Sequence, residues 1–377
     1  MKKTIFLTHL CLLGMGAVTT AKADSKGYTV FEKSTGVLTF YYDELSETRT
    51  EGIIELIPDL KQPPTSRFKG YNKLVKKAVI DASFAELKQN TGEGFFLGFD
   101  ENGLILLERM EPIEGMENIN TSEMTTMSGM FQGCTMLKEI DLSHSNTEKV
   151  KDMGDMFFMC ESLEFLDLRS FKTDHLENTA NMFYGCSLLE GINISSFNTA
   201  NVTDMSGMFM ECSALKEIDL SRFNTGNVTD MPQMFADCEN ITSLDLRSFN
   251  MDKVEIVSEM FYGCEELTTI YCNEDWSNYN LLGIDMFTDC KKLVGGNGTV
   301  YDENKVDVEY ARPDGGILVP GYFTEKEEVI PYSVTATVTP AEAGVVKGQG
   351  DYEYTRQGCK VNTQYVSSTK SHHFGAI

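Results

Sequence analysis

Large apolar residues recur every 26 positions from Met130 to Cys290. Met-Phe pairs stand at Met130-Phe131, Met156-Phe157, Met182-Phe183, Met208-Phe209, Met234-Phe235, Met260-Phe261 and Met286-Phe287. Each pair is followed by a cysteine, in turn Cys134, Cys160, Cys186, Cys212, Cys238, Cys264 and Cys290. The interval carries no insertion, so one unit is copied in tandem and buries its apolar side only against its neighbours. Two periodicities alternate inside a unit. Val202, Met205, Met208 or Phe209, and Cys212 fall at helical spacing, which predicts a short helix. Asn201 suits its N-cap and Asp204 its first turn, as do Asn227 and Asp230 one unit later. Leu215, Ile218 and Leu220 follow, the last two on one side of a short strand.

That strand recurs at Leu137, Ile140 and Leu142, at Leu163, Leu166 and Leu168, at Leu189, Ile192 and Ile194, at Ile241, Leu244 and Leu246, and at Leu267 with Ile270. Phe171, Phe197, Phe223 and Phe249 then fill a corner. Asn198, Asn224 and Asn250, with Thr173, Thr199 and Thr225, are placed to satisfy backbone groups there. The pattern fails after Cys290, where Gly295-Gly296-Asn297-Gly298 replaces the strand. The stretch from Phe95 to Thr121 reads as a decayed first unit, with Asn120-Thr121 aligned to Asn146-Thr147. Ahead of it, Tyr28 to Phe31 and Leu38 to Tyr42 alternate as strands, Lys61 to Ser66 reads as a loop, and Val75 to Leu87 fits a strand entering a short helix.

The template Leu-x-x-Leu-x-Leu is that of leucine-rich repeats. The string Phe-Asn-Thr-x-Asn-Val-Thr-Asp-Met-x-x-Met-Phe-x-x-Cys-x-x-Leu-x-x-Ile-Asp-Leu-Ser at 197–221 resembles the repeat of the BspA-like leucine-rich-repeat surface proteins of bacteria. The flanks agree: Leu38 to Asp43 resembles the N-terminal region of that family, and Tyr310 to Thr324 its segment after the repeats. Tyr332 to Gly344 resembles the opening of an internalin-type B-repeat module. The resulting expectation is an α/β solenoid, a leucine-rich-repeat array of about seven coils with strands on a concave side and short helices opposite. Its divisions are a signal peptide at 1–23, an N-terminal cap at 24–94, the array at 95–296, a C-terminal cap at 297–327 and a partial β module at 328–377, whose resemblance is lost from Arg356 onward as a truncation or a frame shift would leave it.

The signal reading rests on Lys2 and Lys3, the apolar stretch from Ile5 to Val18 and Ala21-Lys22-Ala23 as a cleavage site. Thr8-His9-Leu10 is a poor lead-in for lipid attachment at Cys11. No later run reaches the length of a membrane helix, so the expected location is the cell surface or outside it. A formal net charge of −25 argues against nucleic acid or anionic lipid as partner, and leaves basic protein surfaces and divalent cations such as calcium. The family resemblance implies a non-enzymatic adhesin, for a host matrix or mucosal protein or another cell surface. A glycan-binding or structural envelope protein is the alternative, and a glycan binder would use aromatics such as Trp276, Tyr279 or Tyr262.

No cofactor is expected. The cysteine column reads as buried thiols, against partial disulfides or a metal site, since a linear column lacks the convergent spacing zinc requires. Cys272 and Cys359, outside the period, are better placed for oxidation. The methionines read as core rather than copper ligands. His144, His175, His372 and His373 belong to no nucleophile or metal motif, and tandem copies cannot share one substrate, so catalysis is not expected. Candidate binding residues are Asp141, Asp167, Asn193, Asp219 and Asp245, which lie between inward strand positions and so face outward. Ser143, Arg169, Ser195, Ser221 and Arg247 stand two residues on, and Glu139, Glu217, Lys216 and Lys138 lie at the rim. Stacked like charges repel, which bound cations, a basic ligand, or Arg169 and Arg247 would relieve.

Overall fold

The computed structural model describes residues 26–56, 72–96, 107, 109–326, 354–355 and 358–359. The signal segment, the Lys61 to Ser66 loop and the Tyr332 to Gly344 strand lie outside them. Alternating apolar residues build a five-stranded sheet first. Strands β1 (Lys26–Glu32) and β2 (Val37–Asp43) form an antiparallel hairpin, turned at Gly36 with φ 79°. β3 (Ile53–Leu56) pairs antiparallel with β1, while β4 (Lys77–Ile80) and β5 (Ile113–Glu114) extend the other edge in parallel. A 3-10 helix at Ala82–Glu86 follows β4, capped by Asp81. Leu38, Phe40, Ala78 and Ile80 are buried from this sheet, and the Phe40 ring packs on Phe84, Phe95 and Phe96.

The expected α/β leucine-rich-repeat solenoid is corrected here. Among the described residues no helix reaches seven residues, the longest being Ala82–Glu86, and the strands are short and gathered in small sheets. The array is turn and β structure. Where helices were expected, the N–H groups of Thr179, Asn181, Phe183 and Gly185 donate to Asp204, Ser206, Met208 and Met210 in the next unit, at 2.8–3.1 Å. Those between, of Met182, Tyr184 and Cys186, close tight turns onto carbonyls three residues back. An α-helix would spend all of these donors four residues back.

Two left-handed residues per unit enforce the difference. They fall at Asp155 and Met159, Asn181 and Gly185, Gly207 and Glu211, Gln233 and Asp237, Glu259 and Gly263, and Asp285 and Asp289, with φ between 54° and 72°. A right-handed helix cannot pass through them. Asn201 and Asp204 therefore cap no helix. Asn201 donates to the carbonyl of Asp174 in the preceding unit at 2.7 Å, and Asp204 accepts the N–H of Ser206 at 2.8 Å.

Lateral bonding puts every residue beside its counterpart 26 positions on, as the chain of parallel bridges Thr126, Asp152, Asn178, Asp204, Asp230, Ile256, Leu282 shows. Phe131, Phe157, Phe183, Phe209, Phe235, Phe261 and Phe287 consequently stack face to face at 5.4–6.1 Å. Phe96 of the N-terminal region continues the column at one end, and Tyr322 and Phe323 meet Phe287 at the other. A column of buried threonines runs beside it. Thr199 Oγ1 accepts the N–H of Asn224 at 2.8 Å and donates to its carbonyl at 3.0 Å, and Thr147, Thr173 and Thr225 repeat the pair.

On the strand side the units contribute β6 (Phe165–Asp167) and β7 (Gly191–Asn193) as one parallel pair. β8 (Ser243–Asp245), β9 (Thr269–Tyr271) and β10 (Phe323–Thr324) form a second parallel sheet. Beyond Cys290 the strand place is taken by β10, and Gly295 lies so close to Gly321 that a Cβ would meet its carbonyl oxygen at 2.1 Å. Residues Tyr354–Thr355 and Gly358–Cys359 form a further antiparallel pair, β11 and β12.

Phe209→Ala empties a fully buried place between two stacked rings and should cost about 3–5 kcal/mol. Thr199→Val removes the hydroxyl that pairs with the partly buried N–H and carbonyl of Asn224 and should cost about 1–2 kcal/mol. Urea unfolding measures both, and an unmoved midpoint for either would contradict the packing described.

A pH-dependent prediction comes from the left-handed acids. Burial holds the Asp155 and Asp237 carboxyls above the usual range, with Glu211, Glu239, Glu259 and Asp289 adding to the effect at Asp237 and Asp152 at Asp155. The folded state thus favours their protonated form. That contribution is complete below the unfolded carboxylate value and is lost as pH rises through the raised folded value. Asp155→Asn and Asp237→Asn, which keep a residue tolerant of left-handed φ, should each stabilise by about 0.5 kcal/mol at neutral pH. The gain should vanish in acid below the ordinary carboxylate range, and thermal melts against pH will show it.

Candidate functional site on the strand face

Inward strand positions are filled by Leu142, Leu166, Leu168, Ile194, Leu220, Leu244, Leu246 and Ile270, all buried. Alternation along a strand turns the residues between them outward. Asp141, Asp167, Asn193, Asp219 and Asp245 occupy that outward column, with Tyr271 as the next member. Each turns its side chain back onto its own chain two residues on. Asp141 accepts the N–H of Ser143 at 2.9 Å and Asp219 that of Ser221 at 3.0 Å, while Asn193 accepts both the N–H and the hydroxyl of Ser195.

The two arginines act as carboxylate clamps. Arg169 holds Asp167 through Nε at 3.0 Å and Nη2 at 2.6 Å, and Arg247 holds Asp245 at 2.8 and 2.7 Å. These contacts set the charge state. The Ser143 and Ser221 hydroxyls and N–H groups lower the carboxyls of Asp141 and Asp219, and the Arg169 and Arg247 guanidinium groups lower those of Asp167 and Asp245. All four carboxylates are therefore ionised at neutral pH. Charge-assisted hydrogen bonds within each unit fix the position of each carboxylate.

The column is divided into three places. Asp141, Asp167 and Arg169 line a shallow groove of about 480 Å³ between residues 140–143 and β6. Asn193 and Asp219 line a second groove of about 720 Å³ between β7 and residues 217–219. Asp245 and Arg247 lie in neither. There Lys326 approaches Asp245 at 3.6 Å and sets its ammonium 4.6 Å above the Tyr271 ring, which covers that end of the face. Of the rim residues, Glu217 lines the second groove, Lys138 pairs with Glu111 at 2.6 Å, and Lys216 reaches Glu190 only at 4.0 Å.

The strand pattern left Phe165, Glu190 and Gly191 out of account. Phe165 shares the outward side with Asp167 and is 59 % exposed. Its ring lies against Gly191, where a Cβ would meet it at 3.2 Å. The signal was in the repeat itself. The place held by Gly191 is occupied by Glu139, Phe165, Glu217, Ser243 and Thr269 in other units. The aromatics named for glycan contact fare differently: Trp276 is fully buried between Phe249 and Phe323, and Tyr279 and Tyr262 are half-buried.

The cysteine column is internal. All seven thiols are buried and free, and each donates to the carbonyl of a phenylalanine in the preceding unit, as Cys212 does to Phe183 at 3.2 Å and Cys290 to Phe261 at 2.9 Å. Burial pushes the Cys186, Cys238 and Cys290 thiols up to about 12, so no thiolate forms at neutral pH. Cys272 is buried as well. Among the described residues no group of three or more His, Cys, Asp or Glu is placed to hold a metal ion, and no helix is long and apolar enough to cross a membrane.

No curated protein and no solved structure matches this chain. A family model does match, over residues 106–193 and 180–297, which together span about half of the chain and contain both grooves. The chain belongs to the family described as Mycoplasma protein of unknown function, DUF285.

Proposed function

We propose that this chain is an exported bacterial surface protein that binds another protein, without catalysis, through the outward strand face. The observation carrying this reading is the column of carboxylates at Asp141, Asp167 and Asp219. They are ionised, hydrogen-bonded within their own units, and aligned on one exposed side of the stacked units. A partner meets preorganised charge there and orders few side chains on binding. Affinity comes from many modest contacts across several units. Two further features support the reading. The resemblance of residues 197–221 to the repeat of BspA-like surface proteins points to the cell surface, and the basic, apolar and small-residue order of residues 1–23 points to export. The net charge of −25 favours a basic partner surface and speeds its encounter.

The test is binding of the full chain to immobilised matrix proteins, mucins and polysaccharides, with and without calcium. Saturable binding to a protein is expected. Asp167→Lys combined with Asp219→Lys should weaken it at least about tenfold while leaving the thermal midpoint near that of the parent. Unchanged affinity in the double variant would remove the strand face from the reading, and binding confined to polysaccharide would replace protein recognition with glycan recognition.

A further inference from the structure

The groove between β7 and residues 217–219 interrupts the repeat in three ways at one place. Gly191 leaves a gap in a column where other units carry a side chain, Asn193 stands where four other units carry Asp, and Phe165 exposes its ring beside them. The three charged residues that line the groove, Glu190, Glu217 and Asp219, are all acidic. Glu190 is only loosely engaged by Lys216, since both side chains are about two-thirds exposed at 4.0 Å separation. Among the described residues no ion pair involves Glu217 or Asp219. An exposed aromatic ring beside three carboxylates, of which only Glu190 has a cationic partner and that a distant one, suits a cation carried on an apolar stem.

The chain itself supplies the pattern. Tyr271 occupies the outward column one unit after Asp245, and Lys326 lays its ammonium over that ring while reaching Asp245. An aromatic and a carboxylate on this face thus already receive a lysine at the end nearest β10. Phe165 with Glu190, Glu217 and Asp219 offers the same two elements two to four units earlier, where Lys216 reaches only Glu190, at 4.0 Å, and among the described residues no cation lies over the Phe165 ring.

Resting on the reading of the strand face as a protein-binding surface, we infer that this groove seats a lysine or arginine side chain from an extended basic segment of the partner. The stem lies on Phe165 across Gly191, and the charge lies among Glu190, Glu217 and Asp219. The groove is too open to select one residue sequence, so recognition depends on a cationic side chain at the centre and on weaker contacts of its neighbours with the carboxylate column.

Titration of the full chain with an octa-arginine peptide at physiological ionic strength tests this, with octa-glutamate as the control. Saturable binding of octa-arginine is expected. Phe165→Ala, which removes the platform, and Gly191→Thr, which fills the gap with the residue that Thr269 places there in another unit, should each weaken it at least about fivefold. Glu123→Gln, which removes an exposed carboxylate paired with Lys149, should leave it unchanged. Thermal midpoints will show that the variants fold. Equal affinity in the parent, Phe165→Ala and Gly191→Thr would overturn the inference and assign binding to net charge. Absence of octa-arginine binding would also overturn it, even if a protein from the immobilised set still bound in a manner sensitive to Asp167→Lys with Asp219→Lys. In that case the strand face would stand as a binding surface and the cation groove would not. Conversely, groove-dependent peptide binding with no protein bound from the set would uphold the groove and count against adhesion to those proteins.

Discussion

The structure depends on one constraint: each unit's turn segment must give alternate N–H groups to the unit ahead. The donors at Thr179, Asn181, Phe183 and Gly185, and their counterparts along the stack, fix the register between neighbours at 26 residues. Once that register is set, side chains of one kind meet their own kind. The phenylalanine rings stack, the threonines reach the corner backbone of the next unit, and each thiol reaches a carbonyl of the preceding one. No single contact is large, but every one repeats. A substitution in the core is therefore felt by both neighbours, and the two end regions, Phe96 on one side and Tyr322 with Phe323 on the other, are needed to cover rings that would otherwise face water.

The same constraint explains which parts of the fold the amino-acid pattern made legible. The unit length, the buried Met-Phe-x-x-Cys column and the role of threonine at the corner follow from composition at fixed positions, and the structure shows each of them in contact with its counterparts. The helix did not follow. Val202, Met205, Phe209 and Cys212 have the spacing of a helical face, but two successive tight turns with left-handed residues at Gly207 and Glu211 place the same side chains inward. Hydrophobic spacing reports which side chains are buried and not where the backbone donors point. Glycine offered the missing signal. It recurs at two places only in the turn segment, at Gly129 and Gly207 and at Gly133, Gly185 and Gly263, each with positive φ. Asp and Asn, which tolerate that conformation, fill five of the nine remaining copies, with Met159, Glu211, Gln233 and Glu259 in the others.

Stacking at this register also brings carboxylates together on two faces, and the outcome differs between them. On the strand face each Asp finds hydrogen-bond donors within its own unit, and its carboxyl is held below the usual range. On the turn face Asp237 lies half-buried among Glu211, Glu239, Glu259 and Asp289, and its carboxyl is held above it. The Asp column of the strand face thus keeps its negative charge further into acid than free carboxylates do, while on the turn face protonation of Asp237 relieves repulsion from its acidic neighbours. The face better suited to display charge to a partner is the one whose charges are locally satisfied.

A tandem array makes a surface before it makes a site. Equivalent positions in every unit spread binding over the whole face, and a particular ligand group can be distinguished only where the copies differ. Asp141, Asp167 and Asp219 were legible as an outward column because they repeat. Phe165 and Gly191 were not, because each departs from the pattern once, and a departure reads as noise until the fold places the two side by side. Lys326 shows the opposite case, a residue from outside the period that closes one end of the column by satisfying Asp245 and Tyr271. The regular residues give this face its negative field, and the irregular ones at β6 and β7 give it one place unlike the others, which is where the proposed cationic partner would be held.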